Sequence, residues 1–276
     1  MMKRILVGLA GSAYTPSAIE HAVNLAQTHS AEATGVTVFD MCRVRSLGGA
    51  VPPPWEDANA IRDRRQAITE TRIAHSIREF EEACVKAQVQ HQVVEETGDP
   101  FSTLVDLARY HDLMVFGLRS VFEWDFLGAA PQELLIQLLN DGVTPIIAVS
   151  EKFRAISRVM IAYSGSMESA TAMKRFVQMR LWPNAHLRVV TFDPSDEEAN
   201  RLAVSAEGYC RAHGYDVEHQ SNPGQARDLL LAAATLWQAD MIVMGNSARS
   251  VLMRNILGDT FLSVTSQSEL PLFLAQ

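Results

Sequence analysis

The chain has 276 residues, room for two domains of about 140, and its 47% apolar and 20% charged residues can bury a sizeable core. That composition excludes wholesale disorder, a collagen-like repeat and a small disulfide scaffold. A net charge of −8, from 24 Lys+Arg against 32 Asp+Glu, argues against a non-specific nucleic-acid binder. Cys42, Cys84 and Cys210 lie far apart with no Cys-x-x-Cys, and are expected as buried thiols of a reducing compartment rather than bridges or zinc ligands. The apolar run Ile5 to Ala10 is too short for a secretory core region, and no run approaches the ~20 apolar residues that span a bilayer. A cytoplasmic location without a membrane partner is therefore expected.

Taken in chain order, the pattern predicts strands at 4–9, 34–39, 91–96, 112–117 and 145–149, with helices at 15–29, 58–88, 101–110 and 130–140. After a short linker at about 150–157 it predicts strands at 157–163, 186–192, 215–220, 240–245 and 271–275, and helices at 167–180, 195–213, 225–237 and 259–268. The order recurs because the sequence recurs. Arg4-Ile5-Leu6-Val7-Gly8-Leu9-Ala10-Gly11-Ser12 returns as Arg158-Val159-Met160-Ile161-Ala162-Tyr163-Ser164-Gly165-Ser166. Asp112-Leu113-Met114-Val115-Phe116-Gly117 returns as Asp240-Met241-Ile242-Val243-Met244-Gly245, and each half closes on Pro plus an apolar run, at Pro145 and at Pro271. Gly11 and Gly165 are 154 residues apart and Gly117 and Gly245 only 128, so the first half carries about 26 extra residues. They are placed around 42–72, where Gly48-Gly49 and Pro52-Pro53-Pro54 interrupt any regular pattern. The expected domains are 1–150, with this insertion, and 157–276.

Strand–helix alternation with continuously apolar central strands argues for two tandem α/β domains, each a five-stranded parallel, doubly wound sheet. Such sheets bind ligands beyond the carboxyl ends of their strands, where strand order reverses. Here those are the loops after Leu9, Gly117, Ala162 and Gly245. In the second half Gly245 closes a strand, Ala248 follows, and nine residues (249–257) lead to Gly258-Asp259-Thr260. Small residues let backbone N–H groups approach an anion, and a helix start adds donors and positive potential. Arg249 and Arg254 add charge.

With these motifs, once per half and over nearly the whole chain, the sequence resembles the universal stress protein (UspA-like) family in a tandem two-domain form. The resemblance implies an adenine nucleotide alpha hydrolase-like, Rossmann-like sheet that is often dimeric through its fifth strands. It implies that some members bind ATP through Gly-x2-Gly-x9-Gly-(Ser/Thr) after the fourth strand, with an Asp just after the first, while others bind no nucleotide. Carried onto the second half, the implied nucleotide set is Ala162 and Ser164 on the nucleoside side, Val190 against the base, and Gly245, Ala248, Arg249, Gly258, Asp259 and Thr260 around the phosphates. This set departs from the family pattern at Ala248, which replaces a Gly, at Asp259, which replaces Ser/Thr, and at Ser164, which replaces the early Asp. Asp259 is a good helix N-cap, and Thr260 offers a hydroxyl one position on. Either Asp259 takes the place of a phosphate oxygen, or it holds Mg²⁺ when ATP is bound; ATP, with Mg²⁺ only alongside it, is the one cofactor implied, and no resident metal is.

The first half departs further. Its counterparts are Ala10, Gly117, Ser120 and Gly128, but only seven residues (121–127) separate the last two. They include Phe122, Glu123, Trp124, Asp125 and Phe126, bulky and acidic where a phosphate loop is small and positive, and Pro131 lacks an N–H. The three aromatics are better suited to packing against the other half, as an internal pseudo-dimer.

Competing chemistries find less support. Gly11-Ser12 and Gly165-Ser166 lack the Gly-x-Ser-x-Gly of a nucleophile elbow, so both serines read as helix N-caps. The eight histidines form no His-x3-His and are expected at surfaces or edges. No Gly-x-Gly-x-x-Gly or Walker motif is present. The mixed charges of Glu56 to Lys86 describe a solvated amphipathic helix, and Gly48 to Trp55 reads either as a lid over the first pocket or as a disordered insertion. With no evident general base, the expectation is a stress-associated regulatory binding protein, at most a slow ATPase, with no nucleic-acid partner and with further homodimerisation open. A pure interaction module that binds no nucleotide is the alternative.

Overall fold

Unbroken apolar runs become strands, and runs with apolar residues every three or four become the helices that cover them. The computed structural model describes residues 2–40, 57–119, 132–141, 144–193, 196–245 and 258–276. The chain divides into two compact units. The N-terminal unit, Met2–Gly142 with Glu151–Phe153, contains β1 (Arg4–Gly8), α1 (Thr15–His29), β2 (Glu32–Phe39), α2 (Ala58–Lys86), β3 (His91–Thr97), α3 (Pro100–Ala108), β4 (Leu113–Gly117) and α4 (Gln132–Asp141). The C-terminal unit, Val143–Ser150 with Arg154–Gln276, contains β5 (Ile146–Val149), β6 (Arg158–Ala162), α5 (Met167–Met179), β7 (His186–Phe192), α6 (Asp196–Ala212), β8 (Asp216–Asn222), α7 (Ala226–Leu236), β9 (Met241–Gly245), α8 (Gly258–Gln267) and β10 (Leu272–Ala275). No described helix is long and apolar enough to cross a membrane.

In the N-terminal unit the strands run parallel in the order β3-β2-β1-β4. In the C-terminal unit β10-β9-β6-β7-β8 are parallel. Each order reverses beside the first strand of its repeat, between β1 and β4 and between β6 and β9, which puts a switch point at their carboxyl ends. β5, the closing strand of the first repeat, pairs antiparallel with β10, Ile147 opposite Phe273. That ladder is why residues 143–150 belong to the C-terminal unit.

The repeated Asp is a clamp. Asp112 Oδ2 accepts the backbone N–H groups of Lys3 (2.7 Å) and Arg4 (3.0 Å). Asp240 Oδ2 accepts those of Ser157 (3.0 Å) and Arg158 (2.9 Å), with the Ser157 hydroxyl at 2.8 Å. Each carboxylate thus closes the amino end of the neighbouring parallel strand, where the ladder would leave donors open.

The helices bury their inner faces. Phe176 of α5 meets Phe273 of β10 edge-on at 5.3 Å, a pairing worth about 0.5–1.5 kcal/mol beyond its area. α2 buries Ile73, Ser76, Phe80 and Cys84, at helical spacing, but no described residue of 59–72 is buried. Its 29 residues against the 17 of α6 account for part of the insertion, and Gly48 to Trp55 lies outside the described residues. Cys84 and Cys210 are free, and burial, aided by Glu81 and Glu207 respectively, pushes both thiols up to about 12, leaving them protonated and unreactive. Cys42 lies outside the described residues.

Two histidines depart from the surface or edge positions expected of them. His111 is buried, with its Nδ1 2.7 Å from the Leu107 carbonyl. His21 is 2% exposed on α1, its ring 4.6 Å from that of Phe153, with no partner for Nε2. Burial alone holds its pKa down at about 4. Both sit where the apolar stripe of their own segment meets the core, and an imidazole is small enough to be carried in with it.

At the amino ends of the C-terminal strands a polar cluster joins the edge strand to its neighbours. Glu218 of β8 accepts from Arg188 Nε (2.9 Å) and Trp237 Nε1 (2.9 Å) and lies 3.3 Å from His186 Nε2. Burial raises the Glu218 carboxyl, but these hydrogen bonds and the Arg188 charge outweigh it and hold the group below the usual range. Arg158 and Arg188 lie over the Trp237 ring at 4.6 and 4.7 Å. Charged, paired side chains on an edge strand also discourage pairing with foreign strands.

Candidate functional site

At the switch point of the C-terminal unit β6 runs on through a bond from Tyr163 N to the Val190 carbonyl, 2.9 Å. Gly165 then turns with φ +77°, a left-handed conformation that favours glycine, and a Cβ there would meet Leu202 of α6 at 2.9 Å. Ser166 caps α5, its hydroxyl accepting the Ser169 N–H at 3.2 Å. Ser169 is the centre of the turn: its Oγ accepts from Ser164 N (3.3 Å), Ser164 Oγ (3.3 Å) and Ser166 Oγ (3.3 Å), and donates to the Ser166 carbonyl (2.9 Å). Residue-by-residue reading passed over Ser169. The Ser-x-x-Ser spacing, the same as in a capping box, was the signal that could have found it.

Gly245 ends β9 directly against this turn. A Cβ there would strike the Glu168 carbonyl group and stand 2.7 Å from Ser169 N. The glycine brings the end of β9 into contact with the first turn of α5, so its presence already has a packing reason. Of the residues expected to hold a nucleotide, the structure thus joins Gly245 to the turn that carries Ser164, and pairs Ala162 with Val190 across β6 and β7. Ser164 is exposed, Ala162 and Thr260 are half-buried, and Gly258 opens α8. Two expectations change. Val190 is fully buried in the sheet, so no surface of its side chain is left for a base. Because α8 starts at Gly258, Asp259 falls within its first turn rather than at the cap, a place where negative charge still favours the helix dipole. Ala248 and Arg249 lie outside the described residues.

The N-terminal counterpart is closed. Gly11 also turns left-handed (φ +68°), but α2 crosses it, and a Cβ would meet Arg72 Cβ at 2.9 Å. Ala10, which occupies the position of Ser164, is buried, and so is Gly117. Ser12 is not the cap of α1. The helix begins three residues later, at Thr15, and the Ser12 hydroxyl instead accepts from Tyr14 N at 3.3 Å and lies 3.4 Å from the Thr15 hydroxyl. Ser120, Gly128 and the aromatics Phe122, Trp124 and Phe126 lie outside the described residues.

The Universal stress protein family model matches residues 1–121 and 193–276. The chain belongs to the universal stress protein family. Among curated proteins it is similar to universal stress protein Slr1230 of Synechocystis sp., 22% identical over 185 residues, which are 65% of this chain and 63% of that protein's length. The chain therefore matches less than two thirds of that relative. Among solved structures it is similar to a universal stress protein from Archaeoglobus fulgidus, with a TM-score of 0.72, 19% identity, and 99% of this chain and 96% of that one covered. At that identity the likeness establishes the shared fold, here over both repeats of the universal stress protein.

Proposed function

We propose that this universal stress protein is a stress-associated regulatory binding protein whose second repeat takes an adenine nucleotide at the carboxyl ends of β6 and β9. The observation that carries the reading is the contrast between equivalent turns: Ser164 is exposed at the start of α5, whereas Ala10 is buried where α2 crosses Gly11. The second turn presents the exposed Ser164 hydroxyl beside the amino terminus of α5, whereas the first, though it keeps the Ser12 hydroxyl and the amino terminus of α1, has the buried Ala10 in place of Ser164 and Arg72 of α2 packed on Gly11. The phosphates would be met by backbone N–H groups near Gly245 and Gly258 and by the Thr260 hydroxyl, and the ribose by Ser164 in place of a carboxylate. A hydroxyl holds a ribose less firmly than an Asp, which donates no repulsion only when kept from the phosphates, so modest affinity and no efficient hydrolysis follow.

The test is to denature the purified protein and identify released small molecules by mass spectrometry, then to measure melting with ATP and AMP, each with and without Mg²⁺. A ligand at 100 times its Kd stabilises by about 2.7 kcal/mol, a shift of a few degrees. Gly258→Asp should abolish that shift. Absence of both released nucleotide and any shift would leave the second reading, an interaction module without nucleotide, which Asp259 in the hydroxyl position favours.

A further inference from the structure

We propose that Met167 is a peroxide-sensitive modification site whose oxidation weakens ligand binding at the adjoining turn; the second clause rests on the nucleotide reading above. Among the methionines whose side chains are described, Met2, Met114, Met160, Met173, Met241 and Met244 are buried and Met179 is half-buried. Met167 is 78% exposed. It holds no core position that would explain an apolar side chain there, and it is the first residue of α5, directly after the Ser164-Gly165-Ser166 turn. The role its backbone plays, accepting the Thr171 hydroxyl at 2.8 Å, is open to any side chain. The sequence has therefore placed an accessible thioether on the rim of a turn that the structure leaves open, while its other described thioethers are buried or half-buried.

The chemistry needs only a two-electron oxidant of the peroxide class. The thioether sulfur attacks one peroxide oxygen, the O–O bond breaks as the S–O bond forms, and with proton transfer the other oxygen leaves as water. Sulfur loses two electrons and the peroxide gains them. The sulfoxide is polar and a strong acceptor. Standing at the start of α5, its oxygen competes for the first-turn N–H groups that an anionic ligand would use. An enzyme that draws two electrons from a dithiol reverses the step. In this way a chemical stress is read at the ligand site without use of Cys84 or Cys210, the two described thiols, which are buried and protonated.

The test uses the full chain and dilute hydrogen peroxide. Trypsin releases Val159 to Lys174, which carries Met160, Met167 and Met173 on one peptide, so fragment ions compare the three directly. In the native protein Met167 should oxidise about tenfold or more faster than the other two, and in guanidinium all three should oxidise alike. Equal native rates overturn the site. The ATP-induced melting shift should then fall in oxidised wild type, with affinity reduced about five- to tenfold, and survive in oxidised Met167→Leu. An equal shift before and after oxidation overturns the regulatory clause alone. No shift in the unoxidised protein overturns the nucleotide reading and that clause with it, while the rate comparison still decides the modification site.

Discussion

Gly245 shows how one atom separates a packing role from a binding role. Gly245→Ala forces a methyl into the backbone of Glu168 and Ser169, and neither peptide group can rotate away as a side chain would. The expected cost is about 1–3 kcal/mol, read from urea unfolding without any ligand, with an unchanged m-value. If the variant is as stable as wild type, the close approach of β9 to α5 is not what the glycine serves. His21 sets a second expectation. Its folded pKa of about 4 lies below the unfolded value near 6.5, so the unfolded chain takes up a proton first as pH falls. The stability that the neutral imidazole contributes is complete above pH 6.5 and lost between there and pH 4, by about 3 kcal/mol in all. His21→Leu should flatten that part of the pH–stability curve for the N-terminal unit. An unaltered slope would assign the acid sensitivity elsewhere.

The Asp clamps belong to strand pairs rather than to single side chains. Asp240→Ala leaves the N–H groups of Ser157 and Arg158 and the Ser157 hydroxyl without their shared acceptor, at an expected cost of about 1–3 kcal/mol. Hydrogen exchange should locate the damage, with faster exchange at Arg158 and little change at the far end of β6. Uniform loss of protection across the unit would contradict a local clamp. These same Asp residues were visible in the sequence as repeat landmarks, but their purpose was not, because each acts on a strand more than 80 residues away. Strands such as Met241–Gly245 and helices such as α1 were legible because an apolar run or a three-to-four spacing is local information. The burial of Val190 and of His21 was not, since each depends on which element lies opposite, and the helix start at 15 was legible although Ser12 does not cap it. Of the candidate site, the turn of Ser164 to Ser166 and the glycine at 245 could be named from the repeat; that they touch through Ser169 could not.

The two repeats share a sequence plan but not a boundary. β5 is written in the first and pairs with β10 of the second, so a cut between the repeats does not fall between the compact units. A fragment beginning at 157 should expose the edge of β10 and self-associate in sedimentation experiments, whereas one beginning at 143 carries its own β5 and should remain soluble at higher concentration. Equal behaviour of the two would show that the β5–β10 ladder contributes little. There is also a consequence in time. Ile146 and its partner Leu274 are about 130 residues apart in the chain, a separation that makes their ladder one of the slower contacts to form. During synthesis the N-terminal unit can close as it emerges, but the edge of β5 that β10 will cover must wait while a second whole repeat is translated. A holding chaperone that recognises short apolar strands would find Ile146–Val149 in that interval, and the arrival of β10 would be what releases it.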